Sequence, residues 1–214
     1  MSHRLWPLIA ATFLSAGFTP ASAIPLPLAP SSWSIGPIIQ GGNRSVGVVP
    51  MPRPAAITNG WQFQFPTPRG KVGYITSPRT LSIAGKTLRM CFDIVGPGTF
   101  KATDGSVAKV RLYFQRRGDN WTAAGSYQDY RWWSTTGFAV LEEKNGVCIS
   151  SAVNTSNWSQ TLGKPASMRM TEFNTAVLNV GVVGFTFGGN AYGHGVYAAS
   201  GTPKFILREF SIDG

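Results

Sequence analysis

The sequence is poor in the residues on which most protein metal and redox sites depend. It contains two cysteines, Cys91 and Cys148, and two histidines, His3 and His194. Two cysteines so far apart exclude a disulfide-rich scaffold and a CxxC metal site. His194 has no second histidine near it with which to share a metal ion. We therefore expect no cofactor, although a calcium site made of backbone and carboxylate oxygens stays open.

Acidic residues are also scarce, with 9 Asp and Glu against 19 Lys and Arg, which gives a formal net charge of +10. The basic residues are dispersed, and only Arg116 and Arg117 are adjacent. Because nucleic-acid-binding proteins usually concentrate basic residues on one face or tail, we expect no nucleic-acid partner. The positive charge is consistent with plain solubility, or with attraction to acidic polysaccharides or an anionic envelope surface.

Long apolar runs are absent as well. A membrane-spanning helix needs about 20 apolar residues, and the most apolar stretch, Leu5–Phe18, is shorter. It follows a short basic start and precedes the small residues Ala21–Ala23, which is the pattern that signal peptidase recognises. We predict that residues 1–23 are a cleaved signal peptide, that the mature chain has no transmembrane segment, and that the protein is secreted or periplasmic. In such an oxidising compartment we expect Cys91 and Cys148 to form a disulfide.

Proline is concentrated in residues 24–58 rather than spread along the chain. The runs Ile24–Pro30 and Pro50–Pro54 cannot lie inside a sheet, because proline has no backbone N–H to donate. We therefore predict that residues 24–58 form an extended Pro/Gly-rich leader or linker. Ile35–Ile39 and Val46–Val49 are candidates for short edge strands within it.

Residues 59–214 carry the alternation of a half-buried sheet. Apolar and polar residues alternate in Trp61–Phe65, in Leu88–Ile94 and in Lys109–Phe114, which is the period of strands with one buried face. The single helical candidate is Thr171–Val180, with Thr171 as its N-cap. Roughly eight to ten such strands separated by turn residues predict an all-β domain, a jelly-roll type antiparallel β-sandwich with at most one short helix.

Two local features refine this prediction. Asn145-Gly146, between the apolar runs Phe138–Glu143 and Val147–Val153, is a strong signal for a β-hairpin turn, because both turn residues must tolerate positive φ. The alternation of the last strand, Phe205–Ile212, slips near Arg208-Glu209 and predicts a β-bulge.

Several segments resemble the jelly-roll sandwiches of secreted bacterial proteins, namely carbohydrate-binding modules and galactose-binding-like domains. They are Thr80–Phe100, Gly118–Trp121 followed by Arg131–Trp133, Asn157-Trp158, and the ending from Phe187 to Phe210. The ending matches the F-x-L-x-x-F strand on which such domains often finish. The resemblance covers about residues 60–214 and implies a fold rather than a defined sugar site.

Aromatic residues are dense between positions 121 and 133. Sugars present C–H patches that stack on aromatic rings, and carboxylate, amide and guanidinium groups hydrogen-bond their hydroxyls. Trp132 and Trp133 must face opposite sides of a strand, so we expect one in the core and the other exposed. The alternatives are that the aromatics simply pack inside and that Asp119 only shapes a turn. The predicted ligand-binding residues are Trp121, Trp132, Trp133, Arg131, Asp119, Asp129, Tyr192 and His194.

The favoured function is therefore carbohydrate binding without catalysis. The adjacent Glu142 and Glu143 face opposite ways and cannot serve as a glycosidase pair, and no G-x-S-x-G motif is present. A polysaccharide lyase acting on an anionic polymer is the enzymatic alternative, and a structural envelope protein is the third. The lyase hypothesis would use Tyr192, His194, Tyr197 and Arg131. The sequence does not determine the glycan or the oligomeric state.

Overall fold

The computed structural model describes residues 23–36, 38–41, 44–48, 54–67, 71–190 and 192–214. The predicted signal peptide lies outside the described residues except for Ala23, so it stays a prediction. No helix within the described ranges is long and apolar enough to cross a bilayer.

Extended chain dominates the described ranges. They contain one α-helix, α1 (Met170–Leu178), and sixteen strands. The strands are β1 (Ile24–Pro25), β2 (Ser34–Gly36), β3 (Ile38–Gly41), β4 (Arg44–Val48), β5 (Ala55–Ile57), β6 (Gly60–Gln64), β7 (Tyr74–Leu81), β8 (Thr87–Val95), β9 (Gly98–Ala102), β10 (Lys109–Arg116), β11 (Arg131–Val140), β12 (Lys144–Ala152), β13 (Trp158–Gln160), β14 (Val180–Gly188), β15 (Val196–Gly201) and β16 (Lys204–Asp213).

The described strands form two six-stranded sheets in which neighbours run antiparallel. Sheet A has the order β12-β8-β16-β6-β5, with β1 also paired to β16, and sheet B has the order β13-β11-β10-β14-β7-β2. Two small ribbons, β9 with β15 and β3 with β4, lie outside these sheets. This architecture confirms the predicted all-β antiparallel sandwich with one short helix.

The hydrophobic core lies between the two sheets. Sequence alternation puts one face of each strand inward, and the inward residues of β8 (Leu88, Met90, Phe92 and Ile94) are all buried. Rings interlock across the gap: Phe185 of sheet B lies 5.2 Å from Phe205 of sheet A, measured between ring centroids. Burial of these large rings supplies most of the driving force for the fold.

Part of the proline-rich segment belongs to the sandwich rather than to a free leader. β1 pairs with β16, β2 pairs with β7, and Trp33 is buried between the sheets against Trp61 at 5.6 Å. Trp33 Nε1 also donates a hydrogen bond to Pro27 O at 2.8 Å. Pro25 is tolerated in β1 because this two-residue strand lies at the periphery of sheet A, and Pro27 and Pro30 lie outside the strands.

The predicted hairpin at Asn145-Gly146 is wrong. β11 ends in sheet B, whereas β12 pairs with β8 in sheet A, so the chain crosses between the sheets here. Gly146 has φ +67° and lies at a register shift within β12, where its N–H donates to Asp93 Oδ1 at 2.7 Å. A β-bulge uses the same positive φ as a hairpin turn, so the local sequence suits both.

Two other local predictions are confirmed. Cys91 and Cys148 are direct cross-strand partners on β8 and β12 and form a disulfide. The register between β16 and β8 shifts between Leu207 and Glu209, where a bulge was expected.

The helix starts slightly earlier than predicted. It begins after Arg169, and Thr171 lies inside its first turn instead of capping it. Phe173 points from the helix into the core and packs edge-on against Trp132 at 5.0 Å. The helix therefore closes one end of the core beside sheet B.

Candidate functional site

A second aromatic cluster lies on the outer face of sheet B, away from the main core. Tyr113 and Trp133 are direct partners on β10 and β11, and both belong to the strand phase that points outward. Tyr74 of β7 joins them, and all three are buried. Trp121 and Tyr192, which come from loops, are half-buried and pack over this layer. We call these five residues the outer aromatic cluster.

The rings of the outer aromatic cluster meet mostly edge to face. Tyr74 contacts Tyr113 at 5.2 Å and Trp121 at 5.4 Å between centroids, and Trp133 lies 5.2 Å from Tyr113 and 6.2 Å from Tyr192. Tilted and edge-on pairs are the favoured geometry for aromatic side chains. The cluster is therefore a packed layer with Trp121 and Tyr192 as its two partly exposed rings.

The loop that carries Trp121 is held by a buried ion pair. Asp119 Oδ2 lies 3.0 Å from Arg131 Nε, and both side chains are buried. Asp119 also accepts hydrogen bonds from Trp121 N at 3.0 Å and from Gln115 Nε2 at 2.9 Å. Arg131 Nη2 donates to Trp121 O at 3.2 Å, and its guanidinium lies 5.1 Å from the Trp121 ring centroid. These contacts hold Trp121 at φ +64°, which non-glycine residues rarely adopt.

The loop that carries Tyr192 rests against Tyr74. A Cβ placed on Gly193, which has φ +72°, would lie 2.8 Å from the Tyr74 hydroxyl oxygen. Only glycine combines this backbone conformation with so close an approach. Gly193 therefore lets the Tyr192 loop lie directly on the buried layer of the cluster.

Arg111 lies beside the cluster between two aromatic rings. Its guanidinium carbon is 4.6 Å from the ring centroid of Phe138 and 4.6 Å from that of Tyr192. Phe138 is partly exposed, whereas Arg111 is only 7% exposed. The guanidinium therefore makes two close cation–π contacts, which are favourable.

Several buried polar atoms on this face have no hydrogen-bond partner among the described residues. They include Trp133 Nε1, Thr186 Oγ1, Arg111 Nε and Ser159 Oγ. Thr186 is directly opposite both Arg111 and Tyr74 in the sheet. Buried polar groups are normally paired, and such unpaired atoms also occur in the core between the sheets, for example Trp61 Nε1.

Burial also shifts the ionisation of the two tyrosines in the buried layer. Desolvation raises the pKa of Tyr74 well above its usual value, against the opposing charge of Arg131 and a hydrogen bond from it. The pKa of Tyr113 is raised for the same reason, with a further contribution from Tyr74. The pKa of Asp119 is raised by desolvation, which outweighs the charge of Arg131. The two phenols therefore stay neutral hydrogen-bonding groups.

The structure brings together five of the predicted site residues. Trp121, Trp133, Arg131 and Asp119 form one contact network, and Tyr192 packs on Trp133. Trp133 and Trp132 do face opposite sides of the strand, as expected. The expectation that one of them is exposed is wrong, because Trp133 is covered by the loops and is 2% exposed.

Two predicted residues lie on the other side of the sheet. Trp132 is buried in the core between the sheets, and its Nε1 donates to Asp129 O at 2.9 Å. The Asp129 carboxylate is buried and pairs with Arg169 at 2.6 Å. Burial of both side chains removes Trp132 and Asp129 from the candidate site.

His194 lies on the same loop as Tyr192. It is exposed, and its carbonyl accepts a hydrogen bond from Thr103 Oγ1 at 3.0 Å. Partial desolvation of the ring lowers the pKa of His194, and Asp104 opposes that shift.

The lyase hypothesis needs Arg131 to face a polymer, but Arg131 is buried and committed to Asp119. Within the described residues, no group of three His, Cys, Asp or Glu side chains could hold a metal ion.

Sequence reasoning missed Tyr74, Arg111, Tyr113 and Thr186 as site residues. The alternation of β10 places Arg111 and Tyr113 on its outward face. A tyrosine on that face, next to polar residues of the same face, could have been predicted as a site residue. Tyr74 and Thr186 carry no such signal. Their place depends on the order β10-β14-β7 within sheet B.

No protein-family model and no curated protein matches this chain. Two solved structures are similar to it in fold. One is a xylan-binding module, CBM15, with a TM-score of 0.47, 11% sequence identity, and coverage of 90% of this chain and 96% of that one. The other is Xylanase10C from Cellvibrio japonicus in complex with xylopentaose, with a TM-score of 0.46, 11% identity, and coverage of 89% of this chain and 28% of that one. This likeness is too distant to carry a conclusion about function.

Proposed function

We propose that this protein binds carbohydrate on the outer face of sheet B, with Trp121 and Tyr192 as its stacking rings. One observation carries the proposal. Two partly exposed rings, Trp121 and Tyr192, lie over a buried aromatic layer, and the guanidinium of Arg111 lies beside Tyr192. A sugar suits such a surface, because it offers C–H patches to rings and hydroxyls to neighbouring polar groups.

The site is held in place before any ligand arrives. The Asp119–Arg131 pair positions the loop of Trp121, and Gly193 seats the loop of Tyr192 on Tyr74. Side chains that are already ordered lose little conformational entropy on binding, which favours affinity. We therefore assign Asp119 and Arg131 as positioning residues that support Trp121.

Binding without catalysis fits the groups at the site. The carboxylate at the cluster, Asp119, is buried and committed to Arg131, so it is not free to move a proton on a bound sugar. Export through the predicted signal peptide would place the site where extracellular glycans are found. Secretion or a periplasmic location remains part of this proposal.

A glycan array, followed by affinity gel electrophoresis on the polymers that bind, tests the proposal. Trp121→Ala and Tyr192→Ala should each weaken binding by at least about tenfold, since central aromatic contacts dominate binding energy. Tyr127→Ala is the matched control, because Tyr127 is a half-buried ring that packs against Tyr130 at 4.8 Å instead of against the cluster.

The far-ultraviolet circular dichroism of each variant should match that of the unaltered protein, so that a loss of binding is not a loss of fold. Binding to no glycan would overturn the proposal. Equal losses in Tyr127→Ala and in the two cluster variants would overturn the assignment of the site.

A further inference from the structure

Arg111 is a buried cation without an anionic partner of its own. The chain has 9 acidic residues, all within the described ranges, and none of them forms an ion pair with Arg111. By contrast, the other strongly buried arginine, Arg131, is paired with Asp119. Taking a guanidinium out of water is costly unless an anion compensates it.

The shape of the guanidinium limits the direction from which a partner of Arg111 can approach. The Phe138 and Tyr192 rings both lie close to it. Its contact with the carbonyl oxygen of Ser134 is long, at 3.5 Å, and its Nε has no partner among the described residues. Because all its N–H groups lie in one plane, a hydrogen-bonding partner approaches in that plane, where two parallel N–H groups match a planar carboxylate.

Neighbouring groups also favour an anion. Lys109 is on the same strand as Arg111, and its Nζ lies 5.6 Å from the ring centroid of Phe138 on β11. A second cation therefore lies beside Arg111. Thr186 Oγ1, directly opposite Arg111, is a buried hydroxyl with no partner among the described residues. Desolvation lowers the pKa of Arg111, and the neighbouring Tyr192 opposes that shift.

We propose that the glycan bound by this protein is acidic, and that the carboxylate of a uronic acid residue pairs with the in-plane edge of Arg111. This inference rests on the proposed carbohydrate-binding function and names its substrate class. Tyr192 serves both parts of the site, because it contacts Arg111 and belongs to the outer aromatic cluster. The sugar ring lies against Tyr192 while its carboxylate reaches Arg111.

The test uses isothermal titration calorimetry with polygalacturonate and alginate, each compared with its methyl-esterified form. Esterification removes the negative charge and leaves the sugar ring in place. The unaltered protein should bind at least one acidic polymer about 10-fold to 100-fold more tightly than its ester, the range expected for a charge-assisted hydrogen-bond pair. Dextran sulfate is the third probe, and it should bind more weakly than the acidic polymer because it offers charge without a carboxylate.

Arg111→Gln should remove this preference, while Lys204→Gln should change affinity less than about twofold. Both variants lose one positive charge, but Lys204 is exposed on sheet A, the opposite sheet. Arg111→Lys keeps the charge without the planar fork and should lose most of the preference. If Arg111→Gln does not fold, Arg111→Lys still decides whether the preference for the acid depends on this residue.

The outcomes separate this inference from the function on which it rests. Equal binding of acid and ester, or a preference that survives Arg111→Gln, would overturn the inference and leave carbohydrate binding intact. Dextran sulfate binding as tightly as the acidic polymers would show general charge attraction and would also overturn it. Binding to none of these polymers would overturn the inference, and only binding to no glycan on the array as well would overturn the proposed function itself.

Discussion

Asp119 and Arg131 form a buried ion pair, with 3.0 Å between Oδ2 and Nε, and both residues also bond the backbone of Trp121. The Asp119 carboxylate accepts from Trp121 N, and the Arg131 guanidinium donates to Trp121 O. One pair therefore holds both backbone polar groups of a residue at φ +64°. Such strain persists only where the surrounding structure enforces it, which links the stability of this pair to the position of Trp121.

Asp119→Asn should destabilise the protein by about 3–5 kcal/mol, because it leaves the charge of Arg131 buried and unpaired. Urea denaturation measures this change in the free energy of unfolding. Glu142→Gln is the control, since Glu142 and Lys144 form an ion pair whose side chains are 62% and 61% exposed. That pair should contribute less than about 1 kcal/mol. Equal effects of the two substitutions would contradict the structural role assigned to Asp119.

Tyr74 and Tyr113 should resist ionisation until the protein unfolds, because burial raises the pKa of both phenols. In the unfolded chain these tyrosines lose their protons near pH 10, at about the ordinary pKa of tyrosine. The folded state then holds more protons than the unfolded state, so stability falls as pH rises above about 10.

A spectrophotometric titration of tyrosinate, followed together with circular dichroism, measures this behaviour. Of the 6 tyrosines in the chain, two should ionise only as the circular dichroism signal collapses. Tyr113→Phe should reduce the number of tyrosines that ionise together with unfolding from two to one. Ionisation of all six phenols in a protein that is still folded would count against the buried layer of the cluster.

The disulfide between Cys91 and Cys148 closes a loop with a sequence separation of 57 residues. Thiol counting on denatured, unreduced protein should find no free thiol, and counting after reduction should find two. On loop entropy alone, loss of this cross-link lowers the free energy of unfolding by about 4 kcal/mol. A double variant, Cys91→Ala with Cys148→Ala, should reproduce the stability of the reduced protein. Two reactive thiols without a reductant would show that the bond does not form.

Gly184→Ala should destabilise the sandwich strongly, by about 3 kcal/mol or more, because the new Cβ would clash with the carbonyl oxygen of Ile75 on the neighbouring strand. Gly184 lies directly opposite Tyr113, so the clash occurs beneath the outer aromatic cluster. Gly118→Ala is the control: it also replaces a glycine, but no atom lies within 4 Å of the new Cβ. Its cost should stay near 1–2 kcal/mol, roughly that of its positive φ. Thermal unfolding distinguishes the two, and a similar loss for both would contradict the close approach at Gly184.

Much of the fold could be predicted from the sequence, because strand alternation reports which face is buried. Leu88, Met90, Phe92 and Ile94 share one face, and all four lie in the core. The bulge near Arg208 shows itself in the same way, as a slip in alternation. These features are local, since the side-chain period of a strand is two whatever the strand pairs with.

The prediction at Asn145-Gly146 failed for a reason that is also local. Positive φ at glycine fits a hairpin turn and a bulge equally well, so the dipeptide cannot report whether the next strand joins the same sheet. The disulfide between β8 and β12 could be predicted, because it requires only that the two cysteines lie on neighbouring strands and meet an oxidising compartment.

By itself, the sequence determined the strand periods, the inward residues of the core and the pairing of its only two cysteines, because each depends on composition or on a period of two.

The tertiary structure alone decided which aromatics form the site. Strand order placed Tyr74 beside Tyr113 and Trp133, and it left Trp132 in the core. It also set Arg111 between Phe138 and Tyr192 with no carboxylate of its own among the described residues. Contacts between strands far apart in the chain arise only when the sheets assemble, so no local pattern encodes them.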